Sequence, residues 1–150
     1  MENLPQTFSE PFLGRMIGMI GRAMSKSLTE RIRQEGYDLT MEEWVVLVHL
    51  WHQDGQNQAQ LGTVAGRHKT AVTRAIDHLE ELNFVVRVPD QNDRRNKLIY
   101  LTKAGKEMKT TLMPIAVQTE REALSGILPA DLMRCRGVLE KILSNIRHHI

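Results

Sequence analysis

The chain has 150 residues, 41% of them apolar and 25% charged, with a net charge of +2. That is the profile of one globular domain with a core of ordinary size, and it excludes a disordered or fibrous chain. The longest apolar run, residues 44–48, ends at His49, far short of the ~20 residues a membrane span needs, so no membrane association is expected. The start Met1-Glu2-Asn3 lacks a basic segment leading into an apolar stretch, so no secretory signal is expected. One cysteine, Cys135, excludes a disulfide framework within the chain and suits a reducing cytoplasm, the expected location.

Charge is unevenly spread. Residues 67–109 carry ten basic side chains (Arg67, Lys69, Arg74, Arg87, Arg94, Arg95, Lys97, Lys103, Lys106 and Lys109) against six acidic ones, while the rest of the chain is net negative by two. A basic middle third is the footprint of a phosphate-binding surface. A solvated charged face is the plainer alternative.

In chain order, Phe12, Met16, Ile17, Ile20, Met24, Leu28 and Ile32 recur at a spacing of three to four. This predicts a helix over 10–35 with one buried stripe, ended by Gly36 in a left-handed turn. Thr40 followed by Glu43 is a capping box for a second helix. Trp44, Val45, Leu47, Val48 and Trp51 form its apolar face, and Asp54-Gly55 stops it. A short third helix is expected over 58–65 with Leu61, Val64 and Ala65 inward, then a tight turn at Gly66. A fourth, over 69–82, places Val72, Ala75, Ile76, Leu79 and Leu82 on its buried stripe. Thr70, Thr73, Arg74 and Asp77 share another face. Asn83, which tolerates the left-handed conformation, ends this helix.

The period then changes to two, and residues 84–88 and 97–101 predict paired strands. Between them lies the turn-rich loop Pro89-Asp90-Gln91-Asn92-Asp93-Arg94-Arg95-Asn96. A two-stranded hairpin is marginal alone and must pack on the helices before it. Thr102 caps a fifth helix over 103–125, which Pro114 is expected to kink. Pro129 opens a sixth, with Leu132, Cys135, Leu139, Ile142, Leu143 and Ile146 on one face. The expected fold is mainly α: six helices with a two-stranded β wing. Within residues 61–102, a short helix braces a second that fits the major groove, about 12 Å wide in B-DNA. The wing arginines can enter the narrower minor groove.

Three stretches resemble the MarR family of transcriptional regulators, and the resemblance covers nearly the whole chain. They are Leu39-Thr40 followed by Trp44-Val45-Val46-Leu47, the helix Ala71-Val72-Thr73-Arg74-Ala75-Ile76-Asp77-His78-Leu79-Glu80, and the wing. Most specific is the wing, with Asp93 and Arg95 ahead of Leu101-Thr102-Lys103-Ala104-Gly105. The resemblance implies a single domain over 1–150, with a winged helix-turn-helix DNA-binding region at 39–107. Residues 1–38 and 108–150 would form a helical region in which the first, fifth and sixth helices of two chains intertwine as a homodimer.

The resemblance further implies a ligand-responsive repressor that binds double-stranded DNA at a palindromic operator. Arg95 would enter the minor groove, oriented by Asp93, while Thr70, Thr73 and Arg74 enter the major groove. Arg67, His68, Lys69, Arg94 and Lys97 would add basic groups beside the DNA. Family members commonly bind a small aromatic or phenolic acid in a cleft between the two regions; Met16, Ile20, Trp44 and Leu47 are candidate walls from their apolar character and position. Two departures stand out. Arg67 and His68 occupy the place where the family often has Ser or Asp capping the recognition helix, and Asn83 stands where Gly is usual.

Other chemistry finds little footing. Cys135 lies on an apolar stripe between Arg134 and Arg136 and reads as a buried structural thiol; oxidant sensing needs a lowered pKa and access. His49 and His52 are three apart, but no cysteine or carboxylate cluster completes a metal site, so no metal or cofactor is expected. No Gly-rich phosphate loop and no nucleophile–base arrangement appears, so the chain is not expected to be an enzyme. The alternative from another class is a dimeric protein-interaction module that kept the fold and lost DNA binding. The basic wing with Asp93 and Arg95 argues against it.

Overall fold

The computed structural model describes residues 11–64 and 69–148. The elements are α1 (Pro11–Gln34), α2 (Met41–His52), β1 (Gln56–Asn57), α3 (Gln58–Val64), α4 (Lys69–Glu81), β2 (Val85–Pro89), β3 (Lys97–Leu101), α5 (Lys103–Ala123) and α6 (Pro129–His148). All six helices and both expected strands are present. The turn expected at Gly66 lies outside the described residues. After Thr119 the chain passes from one compact unit to a second that contains α6.

The wing sheet has three strands where the sequence predicts two. Its order is β1-β3-β2, all antiparallel, with Gln56 opposite Ile99 and Arg87 opposite Ile99 on the other side. Strand β1 is two polar residues long, too short to show any period. It is held by Asp54, whose Oδ1 accepts the backbone N–H groups of Leu101 (2.9 Å) and Gly55 (3.0 Å).

The core of the first unit draws on every helix in it. Leu28 and Ile32 from α1 join Val46, Leu47 and Leu50 from α2, Leu61 from α3, Ile76 and Leu79 from α4, and Met108 and Leu112 from α5. Two expectations are corrected here. Helix α2 is buried on more than the one apolar face predicted: Val46 and Leu50 are buried beside Trp44 and Leu47, with Val45, Val48 and Trp51 packed against them. Leu82, assigned to the buried stripe of α4, is exposed, because it falls after the last helical residue, where the chain turns at Asn83 (φ 61°).

Helix ends follow their sequence signals. Gly36 (φ 91°) and Asn83 take the left-handed conformation after α1 and α4. Thr40 and Glu43 form the predicted box: Glu43 N–H donates to Thr40 Oγ1 (3.2 Å) and Thr40 N–H to Glu43 Oε2 (3.0 Å). Helix α5 continues through Pro114. Its start makes a crowded corner. Thr102 N–H donates to the Phe84 carbonyl, Thr102 Oγ1 donates to Asn83 O and accepts from Gly105 N–H, and Trp51 Nε1 donates to Gly105 O. A Cβ on Gly105 would overlap the Phe84 carbonyl, so only glycine fits.

In the second unit, α6 buries no residue, and its stripe is open: Leu139, Leu143 and Ile146 are exposed. Cys135, expected to be buried, is exposed within the chain. The sequence marks an apolar stripe correctly but cannot tell whether the same chain covers it.

Glu43 also ties α2 to α4. The carboxylate is 3% exposed, and its Oε1 lies 2.6 Å from His78 Nδ1. The hydrogen bond to Glu43 and its negative charge raise the His78 pKa above the ordinary 6.5, against a smaller opposing effect of burial. A raised folded pKa means the pair's contribution to stability is full below the unfolded value and is lost as pH rises through the folded value. Urea unfolding should therefore show wild type more stable than His78→Ala near pH 6. The margin should shrink as pH rises toward about 8.5, above the histidine range. A margin that grows with pH would contradict the assignment.

Candidate nucleic-acid interface

Helix α3 begins at a local cap: Asn57 Oδ1 accepts Ala59 N–H (2.8 Å), and Gln60 Oε1 accepts Asn57 N–H (3.3 Å). It braces α4, whose Val72, Ala75, Ile76 and Leu79 are buried while Lys69, Thr70, Arg74 and Asp77 are exposed. Thr73 is half-buried and already engaged. Its Oγ1 donates to the Lys69 carbonyl (3.0 Å) and accepts from Gln58 Nε2 (3.2 Å). Of the three residues expected to enter the major groove, Thr70 and Arg74 are thus the open ones.

Two aspartates shape the wing loop. Asp90 Oδ1 accepts Asn92 N–H (2.9 Å), and Asp93 Oδ1 accepts Arg95 N–H (3.1 Å). Asp93 Oδ2 also accepts Asn96 Nδ2 (3.4 Å), and Asp90 N–H donates to Asn96 O (3.1 Å), closing the loop. Asp93 therefore acts on Arg95 through the backbone; the guanidinium is not its partner. Both are turn-forming contacts of the kind aspartate makes two residues on.

The basic residues of the middle third divide into two groups. Arg87 is mostly buried and compensated. Its Nη2 lies 2.5 Å from Asp77 Oδ1, its Nη1 3.5 Å from Glu80 Oε1, and its Nε donates to Gln58 Oε1 (3.2 Å). In contrast, Lys69, Arg74, Arg94, Arg95 and Lys97 are exposed, and among the described residues none has a carboxylate within ion-pair distance. A cleft of about 580 Å³ lies between α3, the start of α4 and the wing, and Lys69, Thr73, Arg95 and Lys97 all line it. The recognition helix and the wing thus share one concave basic surface.

Of the ten residues assigned to this surface from sequence, Arg67 and His68 lie outside the described residues. Lys69, Thr70, Arg74, Arg94, Arg95 and Lys97 present exposed side chains on α4 and the wing; Thr73 and Asp93 are held as described. The four candidate effector walls do not open together. Leu47 has no exposed surface, and Trp44, packed edge-on to Trp51 at 5.6 Å, is 7% exposed. Met16 and Ile20 are open on α1. Sequence reasoning counted Arg87 among the basic residues and gave Gln58 no role. Alternation along β2 puts Arg87 on the face of Val85, the signal that it turns inward. Nothing local marks Gln58. Among the described residues no group of three His, Cys, Asp or Glu can hold a metal, and no helix is long and apolar enough to cross a membrane.

Comparison with known proteins agrees with this geometry. The sequence profile of the MarR family matches residues 39–97. Over 132 residues, 88% of this chain and 87% of the relative, the chain is 28% identical to the uncharacterized HTH-type transcriptional regulator YybA of Bacillus subtilis (strain 168). A MarR transcriptional regulator from Methanosarcina mazei Go1 superposes with a TM-score of 0.82 at 25% identity, over 94% of this chain and 100% of that one. The transcriptional regulator PA3341 gives 0.80 at 30% identity, over 91% and 99%. Two further structural neighbours, each 24% identical, contain bound molecules. A MarR family regulator from Listeria monocytogenes is complexed with 26mer DNA (TM-score 0.79; 88% and 87% covered), and CouR from Rhodococcus jostii RHA1 is bound to p-coumaroyl-CoA (0.77; 92% and 95%). With the wing, α4 and the helical fold in agreement, the chain carries a MarR family domain at residues 39–97 and has the winged-helix fold of MarR transcriptional regulators.

Proposed function

We propose that this regulator binds duplex DNA sequence-specifically as a homodimer, with α4 in the major groove and Arg95 in the minor groove, and represses transcription until a small effector binds. The observation that carries this reading is the set of five exposed cations on α4 and the wing with no carboxylate partner among the described residues, three of which (Lys69, Arg95 and Lys97) line one cleft with Thr73. Unpaired exposed basic groups are what phosphate contact requires, in contrast to Arg87, which Asp77 and Glu80 compensate. The Listeria neighbour complexed with DNA supports the same use of the fold. Arg67 and His68, next to the start of α4, belong to this surface in the proposal.

The homodimer rests on apolar surface. Met16, Ile17 and Ile20 on α1, and Leu139, Leu143 and Ile146 on α6, are exposed within one chain, and such patches mark partner surfaces. A twofold dimer presents two recognition helices and so reads a palindrome. The effector class is a small aromatic or phenolic acid; the CouR neighbour's ligand shares its phenolic ring but is a coenzyme A thioester rather than a free acid. Its walls would include Met16 and Ile20. An effector acts only through different affinities for two states of the dimer.

Selection of bound sites from a random duplex pool tests the whole reading: a palindromic consensus is expected, and recovery of no enriched sequence would reject it. Light scattering should give a mass about twice the 17.2 kDa chain, since twofold dimers are the commonest closed assembly. A folded monomer at micromolar concentration would reject the dimer. Arg74→Ala should cost roughly 1–3 kcal/mol on the selected site and less on unrelated DNA if the side chain reads a base. Equal losses would reassign it to phosphate.

At the wing, Arg95→Ala should weaken binding with the fold intact, and Arg95→Lys should not restore it, because an ammonium lacks the planar fork. Asp93→Ala should also weaken binding, although it removes a negative charge near phosphate, because the loop loses its Arg95 and Asn96 contacts. Titrations of one duplex at several salt concentrations decide the sign. Binding by Asp93→Ala as tight as wild type throughout would reduce the wing to a diffuse basic patch.

A further inference from the structure

We propose that Arg87 and Gln58 are positioning residues that lock the wing to the recognition helix, so that the two groove contacts are made in one register; the inference rests on the DNA-binding reading above. Alternation along β2 places Val85, Arg87 and Pro89 on the inner face of the sheet, while Val86 and Val88 are exposed on the outer one. Apolar anchorage on β2 therefore ends at Val85, which is fully buried. The next inner position toward the tip is Arg87, and it reaches α4 by charge: Asp77 at 2.5 Å and Glu80 at 3.5 Å. Its backbone N–H also donates to Glu80 Oε2 (3.1 Å), so main chain and side chain are held together.

Gln58 closes the network. Its Oε1 accepts from Arg87 Nε, and its Nε2 donates to Thr73 Oγ1. One amide thus spans the wing, α3 and the face of α4 that carries the base-reading residues. A planar guanidinium with several fixed donors suits this role, and an ammonium does not. With two carboxylates beside it and a side chain only 19% exposed, Arg87 has no charge to spare for phosphate. Its effect on DNA must pass through geometry, by holding the loop that carries Arg95.

Residues that act through one another are not additive, whereas independent ones are. Arg87→Gln should therefore lower affinity for the selected duplex by about tenfold, yet by less than about twofold when Arg95→Ala is already present. Gln58→Ala, which leaves both ion pairs in place, should behave the same way more weakly and guards against a folding defect in the first variant. At saturating protein, minor-groove protection by hydroxyl-radical footprinting should fade in both variants, while major-groove protection of guanine N7 from dimethyl sulfate persists. Without DNA, amide hydrogen exchange across residues 85–101 should speed up in Gln58→Ala at unchanged melting temperature. Losses that multiply in the double variant, or protection fading equally in both grooves, would leave Arg87 as a stability residue and overturn the proposal. Unchanged exchange in the wing would overturn it even for a protein that binds no duplex, while faster exchange with no wild-type footprint would sink the DNA-binding reading alone.

Discussion

The wing and the helix that follows it leave the core through one corner, and its tightness depends on the missing side chain of Gly105. The Phe84 carbonyl stands where a Cβ would be, so the start of α5 can press against the start of β2. That approach lets Thr102 N–H reach Phe84 O and lets Trp51 reach across from α2 to Gly105 O at 2.8 Å. Four elements are therefore tied at a place where the backbone would otherwise carry unsatisfied groups. The direction in which the hairpin projects is fixed here, before any charge at its tip matters.

From this corner outward the means of attachment changes. Near the core, Val85, Ile99 and Leu101 hold the sheet by burial. Further out, Arg87 takes over with ion pairs, and the loop is held by hydrogen bonds centred on Asp90 and Asp93. The order follows from how much apolar surface a thin hairpin can bury, which is little. It also explains why acidic residues are interleaved in a basic region. Asp77 and Glu80 hold Arg87, and Asp90 and Asp93 shape the turn. Counting charges along the sequence mixes these roles.

Much of the fold was legible because its signals are local. The Thr40–Glu43 box, the left-handed Asn83 and the switch from helical to alternating period each lie within a few residues, and each is present as read. The misreadings share a different origin. Strand β1 is paired by its contact with β3, not by any pattern in Gln56 and Asn57. The wider burial of α2 and the exposure of Cys135 depend on which other elements cover a stripe, and a stripe looks the same either way. The candidate surface was legible as a set of basic residues. What was not legible was that Arg87 is neutralised, that Thr73 is held by Gln58, and that Asp93 works on the Arg95 backbone, since each fact concerns a partner's position in space.

The wing loop itself, residues 89–96, carries two aspartates and two arginines and so has no net charge. Beyond a Debye length of ~10 Å such a loop exerts little pull on DNA. In the proposed complex, long-range attraction would come from cations such as Lys69, Arg74 and Lys97, which have no aspartate beside them in sequence. The loop's part in that complex would begin at contact, where a turn set in advance by Asp90 and Asp93 would spare the chain the ordering that binding otherwise requires. A tip rich in lysine and free of acids would attract DNA from further away and hold it in no particular way. In the proposed complex the neutral, hydrogen-bonded tip on an inward-anchored hairpin would do the reverse, which is the property a regulator needs when it must distinguish one site from the bulk of the duplex.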